Sequence, residues 1–172
     1  MGRLVPGLIA VIVLIAAAAM LGALSPDDSA RLRQESLIDD FRVRENIVPV
    51  SVTNQAGQTV VLDGTLPDNT LVTFWDAACG ECRVGLQTIQ SFVAASPQFK
   101  PIYVNVKNPR EQADEAMRKY GLSETYYDQT GAALTAWSAT IPATYLVRNG
   151  AFQVFFPGRP SAEHLNALLT LE

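Results

Sequence analysis

The chain has 172 residues, a formal net charge of -4 and 48% hydrophobic residues, which is enough for one globular domain with an appendage and for a core that needs no cross-link to form. Thirteen basic against seventeen acidic residues leave no basic surplus to neutralise phosphates, so the composition argues against a nucleic-acid partner. Two cysteines and one histidine are too few soft ligands for a four-coordinate zinc site within the chain.

The first element is an uncharged run over residues 4–24, rich in Val, Ile, Leu and Ala. About 20 such residues, each rising ~1.5 Å, span a hydrocarbon core of about 30 Å. The run therefore predicts a single transmembrane anchor. Arg3 before it points the N-terminus to the cytoplasm and the remainder outward, although Arg31 and Arg33 beyond the span weaken that bias. The alternative is a secretory signal with a small-residue cleavage site at Ala17-Ala18-Ala19, and both readings export the rest of the chain. A buried core helix would carry a polar face, which this run lacks. Residues 25–46 turn charged. Ser25-Pro26-Asp27-Asp28 resembles a helix start, and Leu32, Leu37, Ile38 and Phe41 form a partial apolar stripe, which predicts a juxtamembrane stalk.

A domain is expected over residues 47–172. Val50 and Val52 alternate with polar neighbours, Asn54-Gln55-Ala56-Gly57 supplies a turn, and Val60 to Leu62 completes a hairpin. Thr70 to Trp75 reads as a buried central strand, and Gly80 to Ala95 as a helix with Val84, Leu86, Ile89, Phe92 and Val93 on one side. Pro101 to Val106 is a second buried strand. Pro109 opens a helix that runs to Tyr120 and is closed by Gly121. Gly131 to Trp137 is a short helix. Residues 143–148 and 151–156 form a hairpin across Asn149-Gly150, and Ser161 caps a last helix. This order predicts an α/β/α sandwich whose mixed sheet has parallel central strands and an antiparallel closing hairpin.

The two cysteines carry the chemistry. Cys79 lies just past a buried strand, and Cys82 lies in the first turn of the next helix. Unpaired N–H groups and the positive dipole end at a helix start stabilise a thiolate. A second thiol three residues on can then resolve a mixed disulfide. A purely structural disulfide closes too short a loop to remove much denatured-state entropy. A copper site would need both thiols and His164, expected on a polar helix face. A cysteine protease would have to recruit that same histidine.

Phe74-Trp75 before Cys79-Gly80-Glu81-Cys82-Arg83, together with Ile141-Pro142-Ala143-Thr144-Tyr145-Leu146-Val147, resembles a thioredoxin-fold protein. With the apolar N-terminus and the leading hairpin, the chain is most similar to the exported, membrane-anchored TlpA/DsbE-like thiol-disulfide oxidoreductases, several of which serve cytochrome c maturation. The resemblance covers roughly Val48 onward. It implies that Cys79 attacks, Cys82 resolves, and Pro142 is a cis-proline whose preceding residue, Ile141, faces the sulfurs and a bound substrate strand. Gly80 and Glu81 separate the cysteines, and Trp75 packs beneath them. It further implies disulfide-bearing or dithiol protein substrates, a membrane thiol donor and no cofactor. The pattern departs at Thr73, where classical thioredoxins carry a buried Asp, at Ala78 in place of an aromatic, and at Gly85 and Gln87, where the anchored family often has Glu and a kinking Pro.

Glu81 bears on direction. A carboxylate beside Cys79 opposes the thiolate, favours the disulfide and makes the pair a better reductant, while Arg83 acts in the opposite sense. The expectation is a reductase or isomerase-like activity. The alternative is a copper-binding or redox-inert docking module on the same fold.

Overall fold

In the computed structural model, residues 32–33 and 36–171 are described, so the expected anchor over residues 4–24 and the first part of the stalk lie outside them. Eight strands form one sheet: β1 (Arg42–Asn46), β2 (Val50–Thr53), β3 (Thr59–Leu62), β4 (Thr70–Trp75), β5 (Lys100–Val106), β6 (Tyr126–Asp128), β7 (Ala143–Arg148) and β8 (Ala151–Pro157), in the order β1-β8-β7-β4-β5-β6-β2-β3. The helices are α1 (Gly80–Ala95), α2 (Arg110–Tyr120), α3 (Ala132–Ala136) and α4 (Ala162–Ala167), and α4 continues into a 3-10 turn at Leu168–Thr170. Every residue of β4 is buried, because the strand is central, between β5, parallel to it, and β7, antiparallel to it, and helices cover both faces of the sheet there. That double coverage is why its sequence is a continuous apolar run rather than an alternation.

Alternation along β4 divides the core. Leu71 and Trp75 point to the face covered by α1, α2 and α4, with Leu86, Ile89, Met117 and Leu165. Val72 and Phe74 point to the other face, where α3 supplies Ala133 and the following Trp137 packs edge-on to Phe74 at 5.5 Å. Each fully buried side chain of this size contributes about 1.5–3 kcal/mol of transfer free energy. The predicted sandwich is therefore the observed one.

Four differences from the sequence reading have local causes. Residues 36–46 do not stand off as a stalk. Ile38 is fully buried in the core, and Arg42–Asn46 is the edge strand β1, paired with β8. Its charged sequence fits an edge strand, where four of its five side chains are exposed. β6 was not expected. It has only three residues, too few for alternation to show, and it is held by pairing with β5 and one residue of β2. The buried seam of α1 contains Cys82 and Gly85 as well as Leu86, Ile89 and Phe92, with Val84 and Val93 half-buried at its flanks. His164 does not sit on a solvated polar face, because its ring packs against Phe41 and Phe156. The Asn149-Gly150 turn has the expected positive φ at both residues, 52° and 69°. Gly150 is also required by space, since a Cβ there would lie 3.0 Å from the Gly64 carbonyl oxygen.

Candidate active site

The site begins where β4 leaves the core. After Trp75 the chain turns through Asp76, Ala77 and Ala78, and Cys79 becomes the N-cap of α1, with φ -86° and ψ 109°. Its Sγ accepts the backbone N–H of Cys82 at 3.0 Å. A sulfur thus takes the place usually filled by a Ser or Asp oxygen, and it sits on one of the N–H groups that an α-helix leaves without an intrahelical partner. The two sulfurs are bonded to each other, with Cα atoms 5.2 Å apart. Cys79 is partly exposed, whereas Cys82 is fully buried among the α1-face core residues. Of the two cysteines, Cys79 is the one with solvent-accessible surface.

Trp75 is fully buried in the same cluster as Cys82. Its indole N–H donates to Thr125 Oγ1 at 3.2 Å, and its ring meets Tyr120 edge-on at 6.0 Å. The Ile141–Pro142 peptide bond is cis, and the Pro142 carbonyl accepts the Gly158 N–H at 2.8 Å. Ile141 is partly buried and packs against the cluster that also receives Ala77 and Cys79. Gly80 is exposed, and a Cβ on it would meet nothing within 4 Å, so the position makes no steric demand for glycine.

Glu81 lies in the first turn of α1, and the cation placed against it is Arg159, with Nε 3.3 Å from Oε2. The arginine arrives from the loop after β8, and its stem crosses α1 at Gly85, where a Cβ would lie 3.3 Å from Arg159 Cγ. A glycine at 85 therefore leaves room for that crossing. Sequence spacing offered Arg83 as the opposing charge and gave no sign of Arg159, because the pairing depends on how the β8 loop returns over the helix.

Position 73 shows how the site does without a buried acid. Thr73 and Thr144 face each other across β4 and β7, both buried, with their hydroxyls 3.1 Å apart. Each satisfies the other, so this part of the core carries a neutral hydroxyl pair with no buried charge.

Three more residues went unnoticed in the sequence. Asn108 accepts the Ala77 N–H through Oδ1 at 2.8 Å and donates to Asp76 Oδ2 at 3.4 Å. Asn105, 1% exposed, donates to Asn108 Oδ1 at 2.9 Å, and the Tyr120 hydroxyl donates to the Ala77 carbonyl at 3.1 Å. The Asn108-Pro109 dipeptide signals a helix start and so conceals a side chain aimed at the neighbouring loop.

His164 is part of the α4 cap. Its N–H donates to Ser161 Oγ at 3.1 Å, and its Nδ1 accepts the Ser161 N–H at 3.4 Å. Its ring stacks on Phe156 with an interplanar angle of 10° and also meets Phe41. Among the described residues, no group of three or more His, Cys, Asp or Glu side chains is placed to hold a metal ion. The copper reading through His164 thus has no cluster to rest on. Among the described residues, no helix is long and apolar enough to cross a membrane.

No protein-family model and no curated protein matches the sequence. Solved structures do match. A secreted disulfide oxidoreductase from Mycobacterium tuberculosis, described as homologous to Escherichia coli DsbE, superposes with a TM-score of 0.61 at 18% identity, covering 71% of this chain and 96% of that one. The thioredoxin domain of a thiol-disulfide oxidoreductase from Bacteroides vulgatus gives 0.63 at 16% identity, covering 74% and 96%. A thio-disulfide isomerase from Thermus thermophilus gives 0.61 at 20% identity, covering 74% and 95%. The chain therefore has the thioredoxin fold, with a Cys-Gly-Glu-Cys pair at the start of the helix that follows the central strand β4.

Proposed function

We propose that the protein is a thiol-disulfide oxidoreductase working through Cys79 and Cys82. The observation that carries this reading is the Cys79 sulfur seated as the N-cap of α1 on the Cys82 N–H. In the dithiol form the same contact and the helix dipole stabilise a thiolate on Cys79. That thiolate attacks one sulfur of a substrate disulfide, the S–S bond breaks, and the substrate's other sulfur leaves as a thiolate and takes up a proton. Cys82 then loses its proton and displaces the substrate from Cys79. The substrate departs with two thiols, and Cys79–Cys82 is left oxidised, so two electrons have passed to the substrate. The reverse sequence oxidises a dithiol. Burial supports this division of roles, since Cys82 is 0% exposed and offers a substrate no surface to reach. The names of the structural neighbours, disulfide oxidoreductase and thio-disulfide isomerase, support this chemistry.

The finer reading is a reductant held on the exported side of a membrane by residues 4–24, acting on proteins that fold there, with cytochromes c during maturation among the substrates and a membrane thiol carrier as electron donor. The apolar run supports the location, and Glu81 supports the direction, with Arg159 offsetting part of its charge. The test is a trap. Cys82→Ser should accumulate a mixed disulfide on Cys79 that Cys79→Ser cannot form. Failure of the wild-type domain to gain and lose two thiols reversibly would overturn the reading.

A further inference from the structure

We propose that Asn108 is a positioning residue for Cys79, tying the loop over residues 76–78 to the end of β5 so that the chain enters α1 with the Cys79 sulfur on the Cys82 N–H. The inference rests on the exchange chemistry proposed above. It starts from an unbroken series of hydrogen bonds. Asn105, in β5, donates through Nδ2 to the Trp75 carbonyl at 3.5 Å and to Asn108 Oδ1 at 2.9 Å. Asn108 Oδ1 also accepts the Ala77 N–H at 2.8 Å, and its Nδ2 donates to Asp76 Oδ2 at 3.4 Å. Asp76 Oδ1 accepts the Ala78 N–H at 2.7 Å, and the Asp76 carbonyl accepts the Cys79 N–H at 3.3 Å. From the other side, the Tyr120 hydroxyl holds the Ala77 carbonyl at 3.1 Å. The N–H groups of residues 77, 78 and 79 are all engaged ahead of the cap.

The chemistry of position 108 is specific. One atom must accept two N–H groups and the neighbouring atom must donate to a carboxylate, and a side-chain amide of this length does both. An Asp there would keep the acceptor but set a second carboxylate against Asp76, and an Ala would leave the Ala77 N–H without a partner. Either change loosens the approach to the cap, weakens the N–H···S contact and destabilises the reduced thiolate. The disulfide is then favoured.

The experiment measures the pH profile of Cys79 alkylation by iodoacetamide in the reduced protein, and the equilibrium with a glutathione redox buffer. Asn108→Ala should slow alkylation at pH 6–7 at least threefold, move the profile to higher pH and shift the glutathione equilibrium toward the disulfide. Asn108→Asp should shift both further. Tyr120→Phe removes only the hydroxyl over Ala77, and it should move both readouts in the same direction by less. It keeps the test decisive if the Asn108 variants do not fold, because an unshifted Tyr120→Phe then overturns the proposal. A lower melting temperature for Asn108→Ala with an unchanged profile and equilibrium would also overturn it, since that pattern is purely structural. Loss of reversible exchange in the wild type would instead remove the proposed function itself, so the two failures are distinguishable.

Discussion

Replacing Glu81 by Gln removes the acidic side chain of the first turn of α1 while keeping its shape. A unit charge taken at about 7 Å from a thiolate contributes ~0.6 kcal/mol in water-like surroundings and about 2.4 kcal/mol at an effective dielectric constant of about 20. Glu81 is 69% exposed and Arg159 44% exposed, so the lower figure governs. Removing the negative charge should stabilise the Cys79 thiolate relative to the thiol. It also stabilises the dithiol form, which raises the reduction potential by ~13 mV for the two-electron couple. Arg159→Gln releases Glu81 from its partner and should shift both quantities the opposite way. In the double variant the two effects should largely cancel. Equilibration against a glutathione buffer resolves shifts of this size, provided ionic strength is kept near about 0.02 M, because the Debye length shrinks to about 10 Å at 0.1 M salt. Shifts of the same sign in both single variants, or none in either, would refute the electrostatic argument and with it the role of Glu81 in setting direction.

The core and its edges carry three further expected outcomes. Thr73→Val should cost about 1–3 kcal/mol in urea unfolding, because it leaves the buried Thr144 hydroxyl without a partner, whereas the Thr73→Val/Thr144→Val pair should be close to neutral; equal losses in both would show that the hydroxyl pair is not a unit. Ile38→Ala should cost about 3 kcal/mol and lower the melting temperature by ~10 °C if the segment before β1 is part of the domain; an unchanged melting curve would return it to the role of a tether. Burial raises the Tyr103 and Tyr145 phenols to about 12, and for Tyr127 burial and the Asp114 carboxylate do the same. Each must stay protonated in the fold but ionises near pH 10 once unfolded, so their contribution should be complete below about pH 10 and lost as pH rises to about 12; denaturation midpoints that stay level across that window would contradict the assignment.

Much of the fold was legible because its signals are local. Thr70–Trp75 is apolar on both faces, Gly80–Ala95 repeats at helical spacing, and Asn149-Gly150 permits the positive φ that a tight hairpin needs. The placement of Cys79 at a helix start is local too, since an N-cap needs only the three residues after it. Other features were illegible for the opposite reason. β6 exists only because β5 and β2 present edges for it to bridge, and β1 was hidden among charges because an edge strand can expose most of its side chains. Sequence by itself therefore determined the chemical type of the site, a thiol pair at the entrance to a helix behind a buried strand. Tertiary structure alone decided which charge meets Glu81, which hydroxyls replace a buried acid, and which side chains hold the loop before Cys79. Those partners come from the loop after β8, from β7 and from the end of β5. A hydrogen bond or ion pair depends on separation in space, and only the folded sheet brings such distant positions within reach.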